Sequence, residues 1–191
     1  MLTYQVIGDV SQTLQQLLND ALQAVNGSWT AVLHDLAPPP TTTPPKLTIF
    51  LYDVAEDPSA RNRPPDRKPG LPAYTIKKPP IALVLRFMLT AWAGDRFSEH
   101  RMIGRAIQVL YEHSILSGAE LGGALAGSNE ALKLTLAPIT LDERAQVWQA
   151  IAQPYHLSLN YEVRVVHMDP ELERHVPTVQ QAITQPAVET P

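Results

Sequence analysis

Cysteine is absent from the 191 residues, so the chain has no disulfide, no thiolate metal ligand and no cysteine nucleophile. This absence fits a reducing compartment such as the bacterial cytoplasm. Cations are also in the minority, with 15 Lys and Arg against 19 Asp and Glu and a net charge of −4. Because binding to phosphates needs a clustered surplus of cations, we expect no nucleic-acid partner.

Long hydrophobic runs are lacking too. The most apolar stretch, residues 81–94, is interrupted by Arg86 and is shorter than the roughly 20 residues that a helix needs to span a bilayer. The first residues, MLTYQVIGDVSQ, have neither the cationic nor the apolar region of a signal peptide. We therefore expect a soluble protein that does not insert into membranes.

Motifs for catalysis or cofactor binding are also missing. The glycine-rich stretch 117–130 has no Gly-Lys-Ser/Thr ending and no dinucleotide fingerprint, and no G-x-S-x-G elbow occurs. Two Glu-His pairs, Glu99–His100 and Glu112–His113, lie 13 residues apart on a predicted helix, which separates them by roughly 20 Å. They cannot share a metal ion there, so we expect no enzyme, no cofactor and no metal site.

Proline is abundant, and its distribution is informative. Twelve of the 18 prolines lie between residues 38 and 80, and none interrupts a periodic segment. Residues 57–80 form a predicted long Pro-rich loop in which six cations against two carboxylates give a charge of +4, so the rest of the chain carries −8. The loop is either a solvated excursion or a docking surface for an acidic partner. Its cations are Arg61, Arg63, Arg67, Lys68, Lys77 and Lys78.

Hydrophobic periodicity predicts three helices and five strands. The helices are expected at 3–25, 99–116 and 140–154, and the strands at 28–36, 46–54, 80–92, 131–138 and 155–169. This order indicates an α+β fold, a mainly antiparallel sheet of about five strands with about three helices packed against it, in a single domain over residues 1–169.

Further predictions concern which sides of the helices and of the last strand are buried, and the role of the C-terminal segment. The third helix should turn Leu141, Ala145, Trp148 and Ile151 inward, and the last strand should bury one face and expose the other, which carries His156. Gly104, in the middle of the second helix, suggests close packing on a neighbouring strand. The segment 170–191 shows no periodic apolar face and is predicted to be a flexible tail that a partner can order. Its candidate partner-binding residues are Pro170, Val176, Val179 and Ile183.

Five stretches in this order resemble one family: LTYQVIGDVSQTLQQLLNDAL, LTIFLYDVAEDPSARNRPP, ALVLRFMLTAWAGDRFSEHRMIGRAIQVLYEHSILSGAEL, LKLTLAPITLDERAQVWQAI and PYHLSLNYEVRVV. Together they are similar to the tail-terminator or cap proteins of phage-like contractile injection systems, the virulence-cassette and antifeeding-prophage class. The resemblance covers roughly residues 2–168.

The resemblance implies a structural protein without catalysis that forms a hexameric ring on the distal end of the inner tube and sheath. Its expected partners are other copies of itself and the terminal tube and sheath rings, within a particle assembled in the bacterial cytoplasm. Arms that add strands to neighbouring sheets would join the subunits. The alternative is a stand-alone ligand-binding or regulatory domain, and a hydrolase comes third.

Overall fold

A computed structural model describes residues 3–61, 63–68, 70 and 73–177. The described residues contain three helices, α1 (Val6–Gln23), α2 (Arg96–Glu112) and α3 (Leu141–Ala150). They also contain nine strands, β1 (Thr30–Leu33), β2 (Lys46–Glu56), β3 (Asp66–Lys68), β4 (Ala73–Lys77), β5 (Ile81–Trp92), β6 (Ile115–Ser117), β7 (Ala131–Leu136), β8 (Ser158–Met168) and β9 (Glu173–Pro177).

Six strands form the main sheet, in the order β1-β2-β5-β8-β7-β6. β1 runs parallel to β2, and all the other pairs are antiparallel. The register of β2 on β5 shifts between Leu51 and Asp53, and that of β5 on β8 shifts between Leu83 and Leu85. The predicted α+β class with a mainly antiparallel sheet is confirmed, with more strands than the five expected.

Helices α1 and α2 cover one face of the main sheet. Leu14, Leu18 and Leu22 of α1 recur at helical spacing and are buried, as the periodicity requires. Asp95 caps α2, since its Oδ1 accepts a hydrogen bond of 2.9 Å from the backbone N–H of Ser98. Both helices pack on the large hydrophobic core, to which β2, β5, β7 and β8 contribute alternate side chains.

Helix α3 covers the opposite face through a smaller core. Trp148 is fully buried there with Leu36 and Met88. The strand β5 therefore has helices on both sides, which explains its nearly continuous apolar run. Thr140 and Glu143 form the predicted capping box at the start of α3.

Two expectations about this second face are wrong in part. Trp148 and Ile151 of α3 face inward as predicted, but Leu141 and Ala145 are exposed, and Val147 packs inward in their place. The polar side of β8 is not wet throughout, since Ser158 and Asn160 are buried beneath α3. Near its start, β8 is therefore buried on both sides: its apolar side chains face the main core, and its small polar side chains lie under helix α3.

A second sheet, β3-β4-β9, is built from the predicted loop and the beginning of the predicted tail. The pair β4–β9 follows directly on the pair β5–β8: Ile81 lies opposite Met168, and after short Pro-containing links Lys77 lies opposite Glu173. Residues 57–80 are thus not an irregular loop throughout, and residues 173–177 are not an irregular tail. The three strands contact mainly one another. We call residues 61–78 together with 170–177 the arm.

Candidate docking arm

The arm brings together two segments that the sequence presented as separate. Arg67 and Lys68 lie on β3, Lys77 lies on β4, and Val176 lies on β9. Lys78 and Pro170 lie on the links that join the arm to the main sheet. Val179 and Ile183 lie outside the described residues. The sequence analysis did not predict Arg174 of β9. The one feature that could have pointed to it is its position two residues before Val176.

One face of the small sheet combines apolar and cationic side chains. In register across the three strands, Arg67 lies opposite Ile76, and Ile76 lies opposite Arg174. Because side chains alternate along a strand, Val176 shares this face with Arg174. A row of two guanidinium groups therefore flanks an apolar centre, a pattern suited to a partner segment that carries both carboxylates and apolar side chains.

An open groove of about 800 Å³ runs along the arm at this face. Its lining is mainly apolar, with Pro65, Ile76, Pro170 and Leu172, while Lys78 and Arg174 add two cationic groups and Glu171 adds one carboxylate. Leu172, which lines this groove, is 84% exposed, so its apolar side chain is accessible to a partner. The groove is therefore the arm's strongest candidate for partner contact.

Two of the predicted cations are already engaged within the chain. Arg61 Nε donates a hydrogen bond of 3.1 Å to Oε2 of Glu56. Arg63 Nη1 lies 3.4 Å from His167 Nε2, and His167 Nδ1 lies 2.8 Å from Glu130 Oε2. Since a guanidinium can only donate, this arrangement makes Nε2 the acceptor and Nδ1–H the donor of His167. These two arginines fix the base of the arm.

Asp57 also contributes at the base of the arm. Hydrogen bonds from the Ser59 hydroxyl and backbone N–H, 2.7 and 2.9 Å from Asp57 Oδ1, lower the pKa of its carboxyl group. The backbone N–H of Asp57 donates to Ala82 O at 2.8 Å, which ties the exit of β2 to the start of β5. The two chain segments that enter and leave the arm are therefore adjacent.

The two Glu-His pairs lie at opposite ends of α2 and have separate partners. Glu99 is buried, accepts a hydrogen bond of 2.6 Å from Arg96 Nη1 and lies 3.6 Å from His156 Nε2. His113 Nδ1 lies 2.8 Å from Glu120 Oε1. Within the described part of the chain, no three His, Asp or Glu residues are grouped so that they could hold a metal ion.

His156 was predicted to lie on the exposed face of the last strand, but it is half-buried. It precedes β8, and its ring stacks on Trp92 with 4.6 Å between centroids and 15° between planes. Its Nε2 also lies 3.1 Å from the carbonyl oxygen of Ala91. His156 is thus a packing residue that joins the end of β5 to the start of β8.

Two solved structures share the fold. One is the sheath/tube terminator of PVC, an extracellular contractile injection system, in its extended state: the TM-score is 0.63 at 20% identity, over 100% of this chain and 66% of that one. The other is the tube-terminating cap of the anti-feeding prophage, with a TM-score of 0.58 at 20% identity over 89% of this chain and 59% of that one. This chain thus spans about two-thirds or less of their lengths.

The fold is therefore that of terminator caps of contractile injection systems. Residues 9–181 match the family model of the Pvc16 N-terminal domain, and the chain belongs to that family. This confirms the resemblance seen in the sequence. No curated protein matches the chain. None of the helices in the described ranges combines the length and the hydropathy that a membrane crossing requires.

Proposed function

We propose that this chain caps a contractile injection particle. Six copies of it, the number that the family resemblance implies, would form a ring on the distal end of the inner tube and sheath. This ring would stop the polymerisation of both. The cap would be added in the bacterial cytoplasm, where the particle assembles. The observation that carries the proposal is the cationic arm, which extends the central strands of a terminator fold beyond its main sheet.

The chemistry of capping supports this role. A tube of stacked identical rings presents a heterologous surface that can add rings without limit. A terminator must bind that surface on one side and offer no copy of it on the other. A protein that acts by surface complementarity alone needs neither a cofactor nor a reaction, and the arm supplies such a surface.

The arm would bind an acidic surface of the terminal tube or sheath ring. Arg67 and Arg174 are the best probes because they flank Ile76 and have no partner within the described residues, whereas Arg61 and Arg63 are held by Glu56 and His167. Reversing both charges, in Arg67→Glu/Arg174→Glu, should weaken capping, most strongly at low salt where screening is least. Lys133→Glu, on the exposed side of β7, is the matched control.

Truncations separate the arm from the rest of the tail. A chain that ends at Asp169 lacks β9, whereas one that ends at Pro177 keeps the whole described arm. We expect only the shorter chain to lose capping of particles. Normal capping by the shorter chain would show that β9 takes no part in docking.

Electron microscopy tests the capping role itself. Particles made without this protein should have tubes of abnormal or uncontrolled length, and added wild-type protein should restore a closed distal end. Light scattering of the pure protein measures whether copies associate. Particles of normal length with normal distal ends would contradict the proposal.

A further inference from the structure

The outer surface of α2 exposes two aromatic rings. Phe97 is 80% exposed and Tyr111 is 81% exposed, and Ile107 between them is also exposed. Gly104 lies midway, and a Cβ placed on it would meet no atom within 4 Å. The expected close packing of Gly104 on a strand is therefore wrong, and its lack of a side chain leaves a gap on the solvent side of the helix.

The spacing of exposed residues on α2 fits the width of a helix from another molecule. Phe97, Gly104 and Tyr111 are seven residues apart, so they repeat on nearly the same side at roughly 10 Å intervals along the axis. An α-helix is about 10–12 Å wide with its side chains. A crossing helix can therefore approach closely at Gly104 with an aromatic ring on either side of it.

Charge is compatible with α3 as the crossing helix. The outer side of α2 carries exposed Arg101, and exposed Glu112 lies only at the end of the helix. The outer side of α3 carries Asp142, and the one arginine of α3, Arg144, is half-buried and donates to the carbonyl oxygen of Ile139 at 3.4 Å. The exposed side of α3 thus has no cation to oppose Arg101.

Apolar groups on and beside α3 complement the aromatic rings of α2. Leu141 is 62% exposed at the start of α3, and Tyr155 and Leu157, in the segment after the helix, are also exposed. Helices α2 and α3 lie on opposite faces of the main sheet. A contact of α2 with α3 within one copy is therefore impossible, whereas a contact between copies is not.

We propose that the outer face of α2 in one copy binds the outer face of α3 in the next copy. The contact is head-to-tail, so it can repeat from copy to copy, and it leaves no unused face where the rotation between copies closes a ring. This inference rests on the proposed ring and names the surfaces that join its members. It uses neither the arm nor its groove, which remain available for tube and sheath.

The size of the contact predicts a weak association. Helix α2 has 17 residues and is therefore about 25 Å long. A single helix crossing covers less than the roughly 800 Å² per partner of a standard stable complex. Copies should associate only at high concentration or when a terminal ring holds them side by side.

The absence of cysteine makes a direct test possible. A disulfide requires two Cα atoms within about 7 Å, so the double variant Gly104→Cys/Gln146→Cys cross-links where α2 of one copy meets α3 of another. The single variants Gly104→Cys and Gln146→Cys, which can join only α2 to α2 or α3 to α3, should remain monomeric. Under mild oxidation we expect a ladder of covalent multimers, both with concentrated pure protein and with particles. The matched control Gly104→Cys/Gln12→Cys, with its second cysteine on the exposed side of α1, should remain monomeric.

The outcomes separate the alternatives. Dimers from Gly104→Cys alone would mean that α2 meets α2, and they would overturn the inference, as would no cross-link in either setting. Asp142→Arg and Arg101→Asp should each reduce cross-linking about fivefold, and the combined swap should restore it. Because the ladder is read on pure protein, a ladder without any effect of the protein on particles would contradict the capping role and leave this contact standing.

Discussion

Arg86 is the charged residue in the middle of β5, and its neighbours explain how a buried strand tolerates it. It forms ion pairs with Asp53 on β2 and with Glu162 on β8, and the distance from Arg86 Nε to Glu162 Oε1 is 3.0 Å. Arg164 donates two further hydrogen bonds to Glu162 Oε2, from Nε at 3.1 Å and from Nη2 at 2.7 Å. The cation thus joins the three central strands on the face that α3 leaves partly open.

Glu162 makes this network sensitive to acid. Burial alone would raise the pKa of its carboxyl group, but the hydrogen bonds from Arg164 and Arg86 outweigh burial and lower the pKa. A carboxylate with a lowered pKa stabilises the fold above the pKa of the unfolded chain, about 4.3 for Glu. That stabilisation is lost as the pH falls through the lower pKa of the folded state.

Glu162→Gln should therefore reduce the free energy of unfolding by about 1–2 kcal/mol at pH 7, since charge-assisted hydrogen bonds are lost. The difference from the wild type should shrink below about pH 4 as the wild-type carboxyl group becomes protonated. Urea unfolding between pH 7 and pH 3 measures this. The exposed Glu171→Gln is the control, and a difference that stays constant across the pH range would contradict the assignment.

Gly104 allows a prediction of the opposite sign. A glycine in a helix interior costs about 1 kcal/mol relative to alanine, and the added Cβ would meet nothing within the monomer. Gly104→Ala should raise the free energy of unfolding of the dilute protein by about 1 kcal/mol, measured by urea or thermal unfolding. No gain in stability would show that the glycine has a role inside the monomer after all.

Helix α3 illustrates which parts of an element the sequence can predict. Its beginning follows from a local motif, the capping box of Thr140 and Glu143, and was predicted correctly. Its inward side was predicted only in part: Trp148 and Ile151 face inward as expected, but Leu141 and Ala145 do not, because they fit a helical stripe as well as Val147 does. Which stripe is buried depends on the position of β5 and β8 beneath the helix, and no local pattern of α3 contains that information.

Strand pairing in the arm was hidden from the sequence for a similar reason. β3 (Asp66–Lys68) and β9 (Glu173–Pro177) are short and rich in charge, and β4 (Ala73–Lys77), although it contains Tyr, Thr and Ile, is only five residues long and stands among prolines. The pairing of β4 with β9 joins residues 100 apart in the chain, such as Thr75 and His175. By contrast, α1 and α2 were predictable because their periodic apolar residues belong to the main core, and β5 was predictable because its apolar run is nearly continuous.

Trp148 holds α3 on the sheet. It is the one fully buried residue of this helix, its Nε1–H donates to Ser158 Oγ at 3.2 Å, and its ring meets Trp92 edge-on at 6.4 Å. Trp148→Ala should cost about 3–5 kcal/mol and loosen α3 before the main core. Urea unfolding with hydrogen exchange of residues 141–151 measures both effects. Val147→Ala is the milder control, and equal protection of α3 in wild type and Trp148→Ala would contradict this role.

The whole molecule divides its charge between two surfaces. The described part of the arm is cationic on the face that carries Arg67 and Arg174, while the remainder of the chain has a surplus of acidic residues. Helices α1 and α2 lie on one face of the main sheet and α3 lies on the other. The arm is thus separate from both covered faces of the sheet, so the proposed contacts between copies and the proposed docking of the arm would use different surfaces.

The arm should be dispensable for folding, because the main sheet closes beneath it. Glu56 at the end of β2 pairs with Leu83 of β5, and Asp57 N–H bonds Ala82 O, so the two chain ends at the base of the arm are already adjacent. A four-residue Gly-Ser linker, which spans up to roughly 13–14 Å, can therefore replace residues 61–79. We expect this variant to keep its circular dichroism spectrum and to unfold within a few degrees of the wild type, since the deleted strands contact mainly one another and β9. The same variant should fail to cap particles. A variant that caps normally would remove the arm from the docking surface, and one that does not fold would show that the arm supports the main core.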